Sequence, residues 1–131
     1  MKIGLIAHDA KKTLMQNFCL AYRPILVRHQ LCATGTTARM ITESSGLNVE
    51  TFLPGHLGGV EQLGTEIEQN KIDTVIFLRD PLRPKKHEAD AKFLIKLCDT
   101  RNIPIATNIA TAEMLVKSLD RGELEWRENY R

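Results

Sequence analysis

The sequence lacks the cysteine patterns that mark disulfide frames and zinc sites. It has three cysteines, Cys19, Cys32 and Cys98, which is an odd number and includes no CxxC pair. Disulfide-rich secreted domains and zinc modules usually carry paired cysteines at short spacing. All three cysteines stand among apolar neighbours, so we expect reduced thiols in the core of a cytoplasmic protein, with no bound metal.

The sequence also lacks a long hydrophobic run and an excess of charge of one sign. No apolar run is long enough to span a membrane, and the N-terminal segment is too short for a signal peptide. The formal net charge is only +2, and the nearest approach to a basic cluster is Arg79, Arg83, Lys85 and Lys86. Nucleic-acid binding needs a clustered basic face. We therefore interpret this cluster as a solvated loop, and expect neither a nucleic-acid partner nor a membrane.

What the sequence does contain is an alternation of short apolar runs with helical patterns. Strands are predicted at residues 2–7, 30–33, 49–52, 74–78 and 104–106. Helices are predicted at residues 11–27, with a kink or break at Pro24, and at residues 36–44, 58–70, 88–100 and 111–119. This alternation predicts one α/β domain over residues 1–131, with three layers, α/β/α, around a five-stranded, mainly parallel sheet.

The segment 120–131 is polar and fits no clear helix or strand. Two interpretations are open for its arginines, Arg127 and Arg131. They either reach a phosphate site on a neighbouring subunit or belong to a solvated tail, and we favour the solvated tail.

Polar and titratable residues follow every predicted strand. In parallel α/β sheets, ligands bind beyond the carboxyl ends of the strands, so these positions are the candidates for a site. In chain order they are His8, Asp9 and Lys12, then Thr34, Gly35, Thr36 and Thr37, then Pro54, Gly55, His56, Gly58 and Gly59, then Asp80, His87 and Asp90, then Thr107 and Asn108. Each has an ordinary structural explanation, but their convergence on one edge predicts a binding site.

Residues 34–37, Thr-Gly-Thr-Thr, suit an anion. They open a predicted helix, where free backbone N–H groups and the positive end of the helix dipole favour negative charge. Lys12 is able to add the positive charge that a phosphate needs. The alternatives are an ordinary N-cap by Thr36 or Thr37 and a surface lysine.

The histidines and carboxylates suit acid–base chemistry. His8 is a candidate donor to a substrate oxygen or a buried core imidazole, and Asp9 is a candidate helix cap. His87 and Asp90 are three residues apart at the start of a helix, so both can face one side as an acid or electrophile with its carboxylate. Their alternative is capping by an acidic first turn. The glycines after the third strand suit a second anion-binding loop or a tight turn.

Taken together, these residues resemble the methylglyoxal synthase family. The resemblance rests on Ile-Ala-His-Asp at 6–9, Lys12, Ala-Thr-Gly-Thr-Thr at 33–37, Gly-Gly at 58–59, Phe-Leu-Arg-Asp-Pro-Leu at 77–82, His-Glu-x-Asp at 87–90 and Pro-x-Ala-Thr-Asn at 104–108. The motifs agree with the family in order and spacing, from residue 1 to about residue 119.

The resemblance implies an enzyme that converts dihydroxyacetone phosphate to methylglyoxal and inorganic phosphate, without a metal or organic cofactor. In that family a base removes a proton beside the carbonyl, and phosphate then leaves from the enediol phosphate. The resemblance also implies a homohexamer with active sites near subunit boundaries.

The resemblance further implies a role for each matching residue. Phosphate binding is implied for Lys12, Thr34, Gly35, Thr36, Thr37 and the backbone at Gly55, with Pro54 at a neighbouring phosphate-site position. Contact with the substrate oxygens falls to His8 and His87. Orientation of this network falls to Asp9, Asp80 and Asp90.

One loop departs from the family pattern Ser-Gly-Pro-x-Gly-Gly-Asp-Gln, in which the aspartate is taken as the catalytic base. This chain has Pro54 in place of the serine, and proline has neither hydroxyl nor N–H. It has Val60 in place of the aspartate, and valine cannot accept a proton. A lost general base costs about 10²–10⁴-fold in rate. Glu61 and His56 are the candidate substitute bases.

Three hypotheses follow from this loop. The first is a methylglyoxal synthase with a relocated base. The second is a catalytically impaired member of the family that binds phosphate or a phosphorylated metabolite, as a sensor or a partner subunit. The third is an isomerase that stops at the enediol.

Overall fold

A five-stranded parallel sheet forms the centre of the computed structural model, which describes residues 1–82 and 84–130, with residues 84–89 described as backbone. The strands are β1 (Lys2–Ala7), β2 (Gln30–Ala33), β3 (Val49–Thr51), β4 (Thr74–Leu78) and β5 (Ile105–Ala106). Their order across the sheet is β3-β2-β1-β4-β5, and each neighbouring pair is parallel. The predicted fold class is therefore confirmed.

Helices cover both faces of this sheet. They are α1 (Lys12–Ala21), α2 (Arg23–Leu26), α3 (Gly35–Ser45), α4 (Gly59–Glu68), α5 (Pro84–Arg101) and α6 (Ile109–Asp120). Short 3-10 turns occupy Asp9–Lys11, Gly55–Leu57 and Glu125–Tyr130. The predicted helix over 11–27 is broken at Tyr22, and Pro24 falls in the first turn of α2, where a missing N–H costs no helical hydrogen bond.

The alternation of side chains along the strands builds two separate core layers. Ile3, Leu5 and Ala7 of β1 pack on one face with residues of α1, α3 and α6. Ile6 faces the other side, among residues of α4 and α5. Successive residues of a strand point to opposite faces, so a nearly continuous apolar run such as β1 is what a sheet covered on both sides requires.

The three cysteines lie in these core layers. Cys19, Cys32 and Cys98 are free and fully buried. Burial raises the pKa of each of the three thiols to about 12. The prediction of unpaired thiols packed in the core is confirmed, and such thiols are poor nucleophiles at neutral pH.

The C-terminal segment is not the solvated tail that its polarity predicts. Leu124 is buried, and Arg127 is only 1% exposed. The Arg127 Nε lies 3.4 Å from Oδ1 of the fully buried Asp73, and its other nitrogens donate to the Asn102 and Ile72 carbonyls and the Asn70 Oδ1. The prediction for Arg127 was wrong because its partner lies 54 residues away. Arg131 lies outside the described residues.

Within the described part of the chain, no helix has the length and apolar character needed to cross a membrane.

Candidate active site

A cavity of about 530 Å³ opens beyond the carboxyl ends of the strands. The residues that line it are Ile6, Ala7, His8, Asp9, Lys12, Thr34, Thr36, Pro54, Gly55, His56, Val60, Glu61, Phe77 and Asp90. Other depressions of similar volume lie away from these strand ends, along α5 and at the opposite edge of the sheet. The edge that the sequence predicts for ligand binding therefore carries a cavity with titratable walls.

His8 is fixed at the end of β1 by a buried backbone contact. Its Nδ1 accepts a hydrogen bond of 2.8 Å from the backbone N–H of Asp80. Its ring also stands edge-on to Phe77, with centroids 5.1 Å apart. A neutral imidazole whose Nδ1 is an acceptor carries its proton on Nε2. This tautomer makes the Nε2–H of His8 the hydrogen-bond donor.

Asp80 supports His8 without lining the cavity. Its carboxylate Oδ1 accepts a hydrogen bond of 3.0 Å from the Leu82 N–H, which fixes the turn after β4. That turn presents the Asp80 N–H to His8. The predicted orienting role of Asp80 is therefore consistent with its backbone contact, because the N–H and not the carboxylate touches the imidazole.

Lys12 lies at the start of α1, between the end of β1 and the first turn of α3. Its ammonium donates to the Ala7 carbonyl at 2.8 Å and to Thr37 Oγ1 at 3.2 Å. Burial lowers the pKa of Lys12, although nearby Asp9, with Oδ1 3.7 Å away, opposes this effect. An ammonium has three N–H donors. Two donate to the Ala7 carbonyl and to Thr37, and the ammonium also lies near Asp9 in the lining of the cavity.

The start of α3 has the features of an anion site. Thr34 is the residue before the helix, and its side chain makes no capping hydrogen bond. Thr34 and Thr36 line the cavity, whereas Thr37 is buried and contacts Lys12. The alternative of an N-cap by Thr36 or Thr37 is not what the structure shows, because both lie inside the helix.

Gly35 packs rather than lines the cavity. A Cβ at this position would meet the Pro54 nitrogen at 3.3 Å and the Phe52 carbonyl at 3.4 Å, and the Gly35 N–H donates to the Leu53 carbonyl. The glycine therefore brings the first turn of α3 against residues 52–54. This contact sets two walls of the cavity beside each other.

The loop from β3 to α4 is a tight turn shaped by two glycines. The N–H groups of Leu57 and Gly59 both donate to the Pro54 carbonyl. Gly58 has a φ of +107°, and a Cβ on Gly59 would lie 1.9 Å from the Leu53 carbonyl oxygen. The tight-turn interpretation therefore applies to Gly58 and Gly59, which do not line the cavity, while Gly55 does.

This loop brings all the substituted family positions to one wall. Pro54, His56, Val60 and Glu61 line the cavity. Val60 is 5% exposed and packs in the core layer of α4 and α5, whereas His56 and Glu61 are exposed. The wall is thus apolar where the family has its aspartate, with two titratable side chains beside it.

The fourth and fifth strand ends contribute unequally. Asp90 in α5 lines the cavity and is half-buried. The side chain of His87 lies outside the described residues. Asn108 caps α6 by accepting from the Thr111 N–H at 3.0 Å, so its role is structural. Thr107 contributes its carbonyl, which accepts from the Arg79 N–H at 3.3 Å.

The arrangement combines three kinds of group. Lys12 and the start of α3 supply positive charge and donors, His8 supplies an oriented imidazole, and carboxylates stand at the rim. No cluster of His, Cys, Asp or Glu among residues 1–82 and 90–130 is arranged to hold a metal ion. Fold and cavity define a parallel α/β protein with titratable side chains, next to groups suited to an anion, at the carboxyl edge of its sheet.

Comparison with known proteins identifies the family. Residues 17–107 match the family model for the MGS-like domain. The methylglyoxal synthase of Caldicellulosiruptor saccharolyticus is 61% identical over 128 residues, covering 98% of this chain and 91% of that protein. That of Alkaliphilus metalliredigens is 56% identical over 128 residues, covering 98% and 96%. The crystal structure of methylglyoxal synthase from Elizabethkingia anophelis aligns with a TM-score of 0.80 at 39% identity, covering 88% of this chain and 76% of that one. This chain belongs to the methylglyoxal synthase family, as its motifs predict.

Proposed function

We propose that this chain is a methylglyoxal synthase, which converts dihydroxyacetone phosphate to methylglyoxal and inorganic phosphate. The observation that carries the proposal is the meeting of Lys12, the first turn of α3 and the oriented His8 in one cavity of a member of this family. A phosphorylated ketone needs both an anion site and a proton donor near its carbonyl. This cavity supplies both within a single fold unit, which we assign to residues 1–131.

The phosphate group is assigned to the wall between α1 and α3. The Lys12 ammonium supplies positive charge at this wall, and the N–H groups of the first turn of α3 that lack an intrahelical partner are suited to an anion. The Thr34 and Thr36 hydroxyls and the backbone at Gly55 line the same space. Thr37 acts through Lys12, whose ammonium it accepts.

The substrate carbonyl is assigned to His8. Its Nε2–H, set by the Asp80 N–H on Nδ1, is a donor able to stabilise negative charge on a carbonyl oxygen. His87 is expected from the family pattern to contact a second substrate oxygen. Asp9, paired with Lys12, and Asp90 on the facing helix are assigned to orienting this network.

The reaction balances with these groups. A base takes a proton from the hydroxymethyl carbon, and the electron pair of that bond forms a carbon–carbon double bond while the carbonyl oxygen gains negative charge or a proton. The enediol then expels phosphate, which leaves with the electron pair of its carbon–oxygen bond, and the hydroxyl proton is lost. Protonation of the terminal methylene carbon of the resulting enol gives methylglyoxal.

A second candidate function rests on Val60. An apolar side chain at the family's base position supports a member that binds a phosphorylated metabolite without turning it over. The anion-binding wall would serve such a sensor equally well. This candidate shares the ligand and differs in chemistry.

An assay of the purified protein separates the two. With dihydroxyacetone phosphate as substrate, we expect methylglyoxal and inorganic phosphate to appear together in equal amounts. Binding of the substrate without either product would favour the sensor. Exchange of the substrate's carbon-bound hydrogen with solvent, or isomerisation, without release of phosphate would favour an isomerase that stops at the enediol.

We further propose that the protein acts in the cytoplasm as a homohexamer. Support comes from its family membership and its free, buried thiols, which suit a reducing compartment. Light scattering of the purified protein tests the assembly.

A further inference from the structure

Val60 stands at the position of the family's catalytic base. Val60 is 5% exposed and packs with Ile6 and Phe77 in the core layer beneath the cavity. Its side chain lines the cavity and has no basic atom. A base must therefore come from another residue that lines the same cavity.

Among the described residues, three carboxylates line the cavity, and two of them are already engaged. Asp9 lies 3.7 Å from the Lys12 ammonium, in the pair that serves the anion site. Asp90 has an interaction partner of its own. A carboxylate that must leave a partner in order to accept a proton is a poorer base than one that has none.

The third carboxylate, Glu61, is not engaged in this way. Among the described side chains, none donates a hydrogen bond to its carboxylate or forms an ion pair with it, and only its backbone carbonyl is used, by the Thr65 hydroxyl. It is the third residue of α4, in the first turn, where the helix dipole stabilises an ionised carboxylate. The Glu61 carboxylate therefore lines the cavity with no described side chain donating to it.

The backbone that carries Glu61 is held firmly. Gly59 packs directly against the Leu53 carbonyl, and the Gln62 side chain accepts a hydrogen bond of 2.7 Å from the Leu53 N–H. Glu61 starts about 1.5 Å further along the helix axis than Val60 and about 100° around it. Although its side chain leaves the helix in a different direction, Glu61 lines the same cavity as Val60, and its side chain is one methylene longer than that of an aspartate.

His56 is the competitor, and its chemistry is less suitable. It lies in the turn Gly55–Leu57 on the same wall and has no side-chain partner among the described residues. Accepting a proton would turn His56 into a cation in a cavity that already contains Lys12. A glutamate that accepts a proton becomes neutral, so its protonated form meets no such repulsion.

We propose that Glu61 is the catalytic base of this chain, in place of the aspartate that the family has one position earlier; the proposal rests on the proposed function. The Glu61 carboxylate takes the proton from the hydroxymethyl carbon of dihydroxyacetone phosphate. The electron pair of the broken C–H bond forms the enediol double bond, and the carbonyl oxygen takes the charge beside the His8 Nε2–H. After phosphate has left, Glu61 returns to its ionised form by giving its proton to solvent, and the terminal methylene carbon of the enol takes a proton from solvent.

The test uses the full chain in D₂O with dihydroxyacetone phosphate, followed by proton NMR. Proton removal is read as deuterium entering the substrate carbon plus methylglyoxal formed, and elimination is read as methylglyoxal alone. The variants are Glu61→Gln and His56→Gln, with Glu68→Gln as a matched control, since Glu68 is an exposed glutamate at the other end of α4. Affinity for inorganic phosphate and the melting temperature show whether each variant keeps its site and fold.

We expect Glu61→Gln to lower proton removal by about 10²–10⁴-fold with phosphate affinity unchanged, and the other two variants to stay close to the natural rate. Natural rates in Glu61→Gln, or the same loss in His56→Gln alone, would overturn the assignment while leaving the proposed function intact. Deuterium exchange without methylglyoxal in the natural chain would overturn the proposed function, and Glu61→Gln would still decide the base by its exchange rate. A natural chain that shows neither would overturn both.

Discussion

The two edges of the sheet use charged side chains in opposite ways. At the amino edge, Arg127 and Asp73 are buried and bonded to each other, and the second Asp73 oxygen accepts from the Lys2 N–H at 2.8 Å. At the carboxyl edge, Lys12 and Glu61 both line the cavity, and no described side chain donates to the Glu61 carboxylate. The buried, paired charges stabilise the fold, whereas the charged side chains that line the cavity are suited to binding a ligand.

The largest expected effect comes from breaking the amino edge. Arg127→Ala leaves Asp73 buried without its main partner, and breaking a buried pair in this way costs about 3–5 kcal/mol. We expect the free energy of unfolding, measured by urea denaturation, to fall by an amount of this order. Arg121→Ala is the control, since its pair with Glu123 is exposed to solvent and surface ion pairs contribute little to stability. Equal losses in the free energy of unfolding for the two substitutions would contradict a stabilising role for the buried pair.

Breaking the carboxyl edge should affect binding more than stability. Lys12→Ala removes a hydrogen bond from a charged donor, worth about 1.5–3 kcal/mol. Affinity for inorganic phosphate, measured by calorimetry, should therefore fall roughly 10- to 100-fold. Lys11→Ala, at a lysine next to it that does not line the cavity, should leave the affinity unchanged. Equal affinities in the two variants would remove Lys12 from the site.

Restoring the family's aspartate at position 60 should raise the catalytic rate at the same edge. Val60→Asp places a carboxylate on the apolar wall, near a substrate held by Lys12 and α3. We expect turnover of dihydroxyacetone phosphate to rise by about tenfold, less than the full 10²–10⁴-fold effect of a base because Glu61 already supplies one. Adding Pro54→Ser should increase the gain. No gain in either variant, together with full activity in Glu61→Gln and in His56→Gln, would mean that proton removal does not occur at this loop.

The positive charge of Lys12 should also make the affinity for phosphate depend on pH. Burial lowers the pKa of Lys12 from its ordinary value of 10.5. The ammonium is charged below its pKa and neutral above it, so phosphate affinity should fall as the pH rises from 8 through this lowered value. Phosphate itself remains a dianion over that range. A calorimetric titration series should show this fall in the natural chain, and Lys12→Ala should abolish it.

The smallest effect is expected in the layers between the two edges. Cys19, Cys32 and Cys98 are fully buried, and burial raises the pKa of their thiols to about 12. A thiol reagent at neutral pH should therefore react slowly with the native protein and with three thiols per chain after unfolding. Fast reaction of any of the three in the native state would contradict this packing.

Local patterns predict the sheet well and the amino edge poorly. The runs at β1 and β4 are apolar enough to identify buried strands, and the residues after them lie where parallel topology puts them. The burial of Arg127 depends on Asp73, 54 residues away, and nothing in the polar segment around it indicates that contact. Sequence periodicity reveals helices and strands, but it does not reveal a contact between two charged residues that are far apart in the chain.

The sequence predicts which residues form the cavity, but not what each of them contacts. The cavity contains most of the residues that the motifs identify, including His8, Lys12 and Thr34. The sequence does not reveal that the Asp80 N–H, and not its carboxylate, contacts His8, because a backbone donor has no residue signature. It also does not distinguish Gly35 as a packing residue from a ligand residue, since glycine serves both roles.

A crystal structure of the natural chain with inorganic phosphate tests the central claim, that the carboxyl edge holds the phosphate of the substrate. We predict phosphate within hydrogen-bonding distance of the Lys12 Nζ and the first turn of α3, with the Thr34 or Thr36 hydroxyl as a further donor. Phosphate bound elsewhere, with this cavity empty at a saturating concentration, would contradict the account.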